Sequence, residues 1–281
     1  MPVEECGNML ILVSTPIGNL SDISKRAIET LNEADIIACE DTRTSASLFN
    51  LIGVKAKKLI PYHEHNADKA RPKIIKYLEQ GLTVALVSDA GTPLISDPGF
   101  RLVRECRQLG LKVTTVPGAN AVLSALQLSG LPSDAFLFAG FLPTKQSARK
   151  SHLMTFKSVS ATLIFYETAN RLIESLEDIL TILGDREISL VREITKRFEE
   201  VKSGTVSELY NYYLENGSPK GEIVLVIDRV RETAPQQDDV DTLIKETLKT
   251  YSPRDTATLV SKATGLNKKE IYKKVLDLKN D

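Results

Sequence analysis

The sequence predicts an α/β fold in two parts, followed by a short helical end. Short apolar runs alternate with helical patterns up to about residue 118, which predicts a largely parallel sheet flanked by helices. Beyond that point strand-like runs outnumber helices, which predicts a second α/β domain with a mixed sheet. From residue 240 only helical spacing remains. A chain of 281 residues suits about two domains. The expected division is 8–118, 119–230, a linker at 231–239 and a tail at 240–281.

The first apolar run, 9–13, reads as a buried strand by its length and branching. It enters a loop rich in turn formers, 14–22, from which Asp22 is placed to cap a helix over 23–32. A short strand at 35–39 leads into a polar turn, 40–45, then a helix through Leu48 and Leu51 that stops at Gly53. A strand at 58–60 precedes Tyr62-His-Glu-His-Asn66, and a helix over 67–80 stops at Gly81. The run at 82–87 is nearly all apolar, as expected of a strand covered on both faces. A second turn-rich loop, 88–99, precedes a helix over 100–109, a strand at 112–116 and the turn Pro117-Gly118.

In the second part, helices are predicted over 121–128, 171–183 and 207–216. Strands are predicted at 135–139, 162–166, 188–192, 199–203 and 222–227. The segment 231–239 is polar and contains Pro235, as a linker would. In the tail, helices are expected over 242–250, from Ser252 (cap) and Pro253 to Ala263, and from Asn267 (cap) over 268–278, with Gly265 as the break. Two short helices around a Gly turn give a helix-turn-helix-like shape.

The 36 Lys and Arg against 37 Asp and Glu leave a net charge of −1, which disfavours a broad nucleic-acid sleeve. The average conceals a basic tail. Lys245, Lys249, Arg254, Lys262, Lys268, Lys269, Lys273, Lys274 and Lys279 outnumber Asp241, Glu246, Asp255, Glu270, Asp277 and Asp281 there. Three cysteines without CxxC spacing and only three histidines argue against disulfides, structural zinc or a His-rich metal centre. The N-terminal residues carry acids where a secretory leader needs positive charge, and no apolar run approaches the ~20 residues of a membrane span. A reduced, cytoplasmic, globular protein without membrane contact is expected.

Ligands in open parallel sheets collect at the carboxyl ends of the strands. Three loops lie at such ends here: 14–22, 40–45 and 88–99. Pro16-Ile-Gly18 and Ala90-Gly-Thr-Pro93 would let a ligand approach the backbone, and Asp89 could accept from a ribose diol or an amino group. No phosphate-binding GxxxxGK[ST], dinucleotide-binding GxGxxG, GxSxG or HExxH is present. His63 and His65 alternate as on a strand and would share a face, too few for a metal. Glu40, Asp41 and Arg43 read either as a capped helix start with an ion pair or as charges facing a shared cleft. Glu167 at a strand end, with Arg171 a turn later, is either a cap or a site acid. The charges from Arg192 to Glu200 read as structural ion pairs, with RNA phosphate contact as the alternative.

Taken together, the stretches 13–22, 39–45, 62–66, 88–99 and 116–119 resemble the ribosomal RNA small-subunit methyltransferase I family, within the tetrapyrrole methylase group. The resemblance continues through Gly140-Phe-Leu-Pro143, Phe165-Tyr-Glu167, Arg192-Glu-Ile-Thr-Lys196, Gly221-Glu-Ile-Val-Leu-Val226 and the helical tail, so it covers nearly the whole chain in order. It implies a two-domain tetrapyrrole-methylase-like fold, that of a class III S-adenosylmethionine methyltransferase, with a small helical appendage. It implies 2′-O-methylation of a cytidine in 16S rRNA of the small ribosomal subunit near the decoding centre, with S-adenosylmethionine as donor and a homodimer as the working form. By carry-over, Pro16, Ile17, Gly18, Asp89, Gly91, Ile95, Asn120, Ala121, Phe165, Tyr166, Glu222 and Ile223 line the cofactor. The family often has a Pro-His pair after the Tyr-Glu strand end. Here Ala169-Asn170 stands instead, so no catalytic histidine is assigned there.

Methyl transfer to a ribose hydroxyl needs in-line positioning and help from a general base. Asp41, Arg43, His63 and Glu167 are the catalytic candidates, with Glu40 as a further acceptor. Arg43, Asn66, Arg171, Lys268 and Lys269 are the candidate RNA contacts. The rival readings are a small-molecule tetrapyrrole methyltransferase and a non-enzymatic ribosome-binding protein. The Pro-containing first loop and the basic tail argue against the first, and the open small-residue loops against the second.

Overall fold

A computed structural model describes residues 9–230 and 237–280. The first compact unit ends at Arg229 and holds two five-stranded sheets. The first sheet comprises β1 (Met9–Val13), β2 (Ile36–Cys39), β3 (Leu59–Pro61), β4 (Val84–Val87) and β5 (Lys112–Val116), in the order β3-β2-β4-β1-β5. Every pairing in it is parallel. Alternate residues point to opposite faces of a strand. Ile11, Val13, Ile37, Cys39, Ala85 and Val87 therefore pack one way, against α1 (Lys25–Glu33) and α2 (Thr42–Ile52). Leu10, Ile36, Ala38, Val84 and Leu86 pack the other way, against α3 (Ala67–Glu79) and α4 (Phe100–Gln108).

The second sheet comprises β6 (Phe136–Phe141), β7 (Thr162–Thr168), β8 (Glu187–Arg192), β9 (Glu200–Thr205) and β10 (Glu222–Ile227), in the order β6-β7-β10-β8-β9. It is mixed: β6 and β7 are parallel, and the other pairs antiparallel. One face is covered by α6 (Gln146–Met154), α7 (Leu172–Leu183) and α8 (Val206–Asn216). The other face takes α5 (Ala121–Ser129) through Val122, Ala125 and Leu126. Ile17, from the loop after β1, packs into that same cluster. The loops of the first sheet are thereby seated against the second.

Several boundaries differ from expectation. Leu20–Asp22 forms a 3-10 turn, so Ser24 rather than Asp22 caps α1, its side chain accepting from Ala27 N–H at 3.1 Å. The segment 40–45 is not a turn: Asp41 caps α2, which begins at Thr42. His63-Glu64-His65 lies in a turn rather than a strand, its two rings edge to face at 6.1 Å. Helix α6 was not expected. It buries Arg149 and Leu153, and the Arg149 Nε–H donates to Asp178 at 2.7 Å with neither side chain exposed.

The second unit begins at Val230 and is a three-helix cluster: α9 (Gln237–Leu248), α10 (Pro253–Thr264) and α11 (Lys268–Asn280) around Val240, Ile244, Ala257, Val260, Ile271 and Val275. Helix α9 starts within the expected linker, whose residues 231–236 lie outside the described residues. No described helix is long and apolar enough to cross a membrane.

Candidate functional site

The loops after β1, β4 and β5 are tied together by short polar side chains. Thr15 and Gly91 form a two-way backbone bridge. The Thr92 hydroxyl is the hub. It receives from Ser14 Oγ at 3.3 Å and Asn120 Nδ2 at 3.1 Å, and donates to Ala119 O at 3.1 Å. Asn120 also caps α5, its Oδ1 accepting from Leu123 N–H at 3.1 Å. Close packing requires the glycines: a Cβ on Gly118 would stand 2.9 Å from Ser14 Cβ. Gly91 has φ +79°, and a Cβ there would meet Ile17 Cγ2 at 3.2 Å.

A loop of the second sheet closes on this set. A Cβ on Gly18 would lie 2.5 Å from Lys196 Cγ and 3.0 Å from Thr195 Oγ1. Lys196 bridges Glu193 at 3.0 Å and Glu222 at 2.9 Å. The four described non-glycine residues with left-handed backbone are Leu94, Ser96, Glu193 and Thr195. Leu94 and Ser96 lie in the loop after β4, Glu193 and Thr195 in the loop after β8, and such conformations, costly for a residue with a Cβ, concentrate at functional sites.

Carboxylates gather on the first-sheet side. Burial, reinforced by Asp89, raises the Glu40 carboxyl, with His63 opposing. Burial and then Glu40 push Asp97 up to about 6, reinforced by Asp89 and opposed by a hydrogen bond from Ser88. Tyr166 on β7 senses Asp97 and Glu222. Burial first, then Asp97 and Glu222, push its phenol up to about 12, so it remains a neutral donor. Among the described residues no group of His, Cys, Asp and Glu is placed to hold a metal ion.

Of the sequence candidates, Pro16, Ile17, Gly18, Asp89, Gly91, Asn120, Ala121, Tyr166 and Glu222 fall at or beside this junction. Ile95 stands exposed in the strained loop. Phe165 and Ile223 do not offer their side chains here. The pleat turns both into the core on the far face of the sheet, where Phe165 meets Phe156 edge to face. Asp41 and Arg43 pair with each other at 3.1 Å, and this holds the Asp41 carboxyl below its usual range. The Arg43 side chain is otherwise 90% exposed. His63 is half-buried, its N–H donating to Asn66 Oδ1 at 2.9 Å, while Asn66 Nδ2 donates to Pro61 O. Asn66 is thus spent closing that turn.

Glu167 is sealed rather than open. Its carboxylate accepts from Ser175 Oγ and from Thr168 N–H, and pairs with Arg171 at 2.6 Å. Arg171 in turn donates to Leu142 O and Thr144 Oγ1. Of the charges near β8, Arg192 pairs with Glu200 at 2.7 Å and Lys196 with Glu193 and Glu222, while Arg197 lies over the Phe198 ring. Lys268 and Lys269 stand exposed at the start of α11. The sequence marks the stretch holding Thr92 for ligand approach but gives Thr92 no role of its own, and it leaves Asp97 unmarked. Both lie in a loop without periodicity, and the signal available was the Ser-Asp-Pro-Gly turn at 96–99.

The lining suits S-adenosylmethionine. Ile17, Ala121 and Tyr166 offer an apolar floor for a nucleoside, and the surrounding carboxylates complement a sulfonium and an ammonium.

Two sheets joined in this way define a tetrapyrrole methylase, and residues 9–210 match the model of the Tetrapyrrole (Corrin/Porphyrin) Methylases. Residues 234–279 match the RsmI C-terminal HTH domain. The chain belongs to the ribosomal RNA small subunit methyltransferase I family. It is 47% identical over 281 residues to the ribosomal RNA small subunit methyltransferase I of Mesorhizobium japonicum, covering 100% of this chain and 95% of that one. To its counterpart from Erythrobacter litoralis it is 51% identical, covering 96% and 95%. The fold resembles a crystal structure of uroporphyrin-III C-methyltransferase from Thermus thermophilus complexed with S-adenyl homocysteine. The TM-score is 0.53 at 16% identity, over 79% of this chain and 97% of that one.

Proposed function

We propose that this protein transfers a methyl group from S-adenosylmethionine to the 2′-hydroxyl of a cytidine in 16S rRNA near the decoding centre. It acts on the small ribosomal subunit, in the cytoplasm, as a homodimer. The observation that carries this reading is the junction of the Thr92-organised loops with Tyr166 and Glu222, in a chain that aligns end to end with small-subunit rRNA methyltransferases.

Pro16, Ile17, Gly18, Asp89, Gly91, Ile95, Asn120, Ala121, Tyr166 and Glu222 hold the donor, with Phe165 and Ile223 contributing backbone only. The donor supplies an activated methyl on a cationic sulfur. The chain's part is to orient the acceptor and exclude water, and positioning alone accounts for much of such an acceleration. Arg43, whose side chain points to solvent beside the junction, holds an RNA phosphate, and His63 and Asn66 shape the same rim. Lys268 and Lys269 add phosphate contacts from the tail. The catalytic body divides at 118/119 into the two sheet-bearing domains.

The test is mass mapping of rRNA from small subunits incubated with the protein and methyl-labelled donor. One ribose-methylated cytidine is the expected result. Label on a base, or on uroporphyrinogen instead of rRNA, overturns this reading.

A further inference from the structure

We propose that the outer face of α3 and α4 is a second docking surface for rRNA, holding its phosphate backbone along the helix layer of the first sheet, away from the methyl-transfer junction. This rests on the reading above, in which the substrate is the small ribosomal subunit.

The two helices stand apart in charge. Together they carry seven Lys and Arg against three Asp and Glu, in a chain whose net charge is −1. The helices α6, α7 and α8 on the second sheet carry two against five. The excess cations of α3 and α4 are also not spent within the fold. Arg71 answers Asp68 at 3.1 Å and Glu105 at 2.7 Å, and Arg101 adds a contact to Asp68 at 3.5 Å. Lys69, Lys73, Lys76, Arg104 and Arg107 remain, all exposed, and none forms an ion pair with a described residue. Glu79, the remaining acid, is exposed at the end of α3.

The spacing sets these side chains in rows. Residues three and four apart share a helix face. Lys69, Lys73 and Tyr77 follow one another at four-residue steps on α3, with Lys76 alongside. Phe100, Arg104 and Arg107 make the matching row on α4. The Arg71–Glu105 pair ties the two helices side by side. Lys58, just before β3, joins the first row: its Nζ donates to the Tyr77 hydroxyl at 3.0 Å and lies 4.6 Å from the ring centre. Phe100 is 61% exposed, with the Arg101 guanidinium 5.9 Å from its ring.

The rows run the length of the domain. Helices α3 and α4 return from the carboxyl edge of the sheet to its amino edge, since every strand they connect is parallel. Their last turns sit beside the starts of the next strands, with Leu82 N–H donating to Tyr77 O at 3.1 Å and Leu111 N–H to Cys106 O at 2.9 Å. The far ends of both rows are thus at the edge opposite the loops that build the junction.

Like charges repeated on one helix face repel and cost stability, so they do not serve the fold. A row of cations about one turn apart, ~5 Å, meets a polyanion of repeating charge better than a single small anion. Exposed rings between the cations add faces on which unpaired bases stack without regard to sequence. RNA has both features, and an anionic lipid surface lacks the bases.

The test uses the full-length protein. Wild type is compared with K73Q/K76Q, R104Q/R107Q, the four changes combined, and a control, K25Q/K157Q, on exposed lysines elsewhere. Binding of small-subunit rRNA is measured across a salt series, methylation of small subunits by steady-state kinetics, and S-adenosylhomocysteine binding by calorimetry. All variants should melt like wild type. The combined variant should lose about three ion equivalents from the slope of log affinity against log salt, and each double about half of that. The KM for subunits should rise about tenfold or more in the combined variant, with kcat and S-adenosylhomocysteine affinity unchanged. The control should match wild type. An unchanged salt slope, equal loss in the control, or a fall in kcat at constant KM overturns the docking surface. Loss of binding to phosphatidylserine vesicles with RNA affinity intact overturns it in favour of a membrane contact. A wild type that binds this RNA through these residues yet methylates none of it overturns the functional reading and supports the docking surface.

Discussion

Thr15 and Gly91 exchange both of their backbone hydrogen bonds, Thr15 N–H to Gly91 O at 2.9 Å and Gly91 N–H to Thr15 O at 3.1 Å. This bridge, outside the sheets, locks the loop after β1 to the loop after β4. Gly91 can take part because it sits at φ +79° with Ile17 against its bare face. Gly91→Ala should cost about 1–2 kcal/mol in backbone strain and displace Ile17. The expected result is a lower melting temperature together with weaker S-adenosylhomocysteine binding by calorimetry.

Arg149 and Asp178 form a fully buried pair between α6 and α7. Removing Asp178 leaves the buried Arg149 with only the largely exposed Glu174, at 3.3 Å, as its anion, and breaking such a buried pair typically costs about 3–5 kcal/mol. Asp178→Ala should therefore unfold at markedly lower urea than wild type. A double replacement by apolar residues of similar volume should recover much of that loss.

Asp35 accepts Thr83 N–H at 3.0 Å and pairs with Lys57 at 3.2 Å. The backbone hydrogen bond from Thr83 is the main cause holding its carboxyl below the ordinary 3.8, with Lys57 assisting against burial. A depressed value stabilises the fold above the unfolded value, and that contribution disappears as pH falls through the folded one. Asp35→Asn should thus be less stable than wild type at neutral pH. The difference in melting temperature should shrink below about pH 4.

Lys268 and Lys269 are exposed at the start of α11. If they contact phosphate, replacing both by Glu should weaken binding to small-subunit RNA. The slope of log affinity against log salt should also fall by about two ion equivalents. Equal slopes for variant and wild type would remove the tail contact.

β2 and β4 are legible in the sequence because they are short apolar runs buried on both faces, without a polar interruption. Helix α6 was not, because only Arg149 and Leu153 of its nine residues are buried, and an arginine gives no apolar stripe. At the site, the small-residue loops were readable as loops, but their joinery was not. Thr92 binds partners 27, 28 and 78 residues away, contacts that no local pattern announces. Glu167 misled because a strand-end acid looks the same whether it opens to a ligand or is sealed by Arg171 and Ser175. Phe165 and Tyr166 were taken together, although neighbouring strand residues must part to opposite faces.

Of the four left-handed residues, Ser96 in the loop after β4 abuts the second sheet and Thr195 in the loop after β8 abuts Gly18, while Leu94 packs into the core beside Leu86. Thr195 adds a buried hydroxyl without a hydrogen-bond partner. The seam between the two sheet-bearing halves thus carries costly backbone at Ser96 and Thr195. On warming, the seam should part first. Donor affinity and resistance to protease in segments 94–97 and 193–199 should fade several degrees before circular dichroism registers any loss of the sheets.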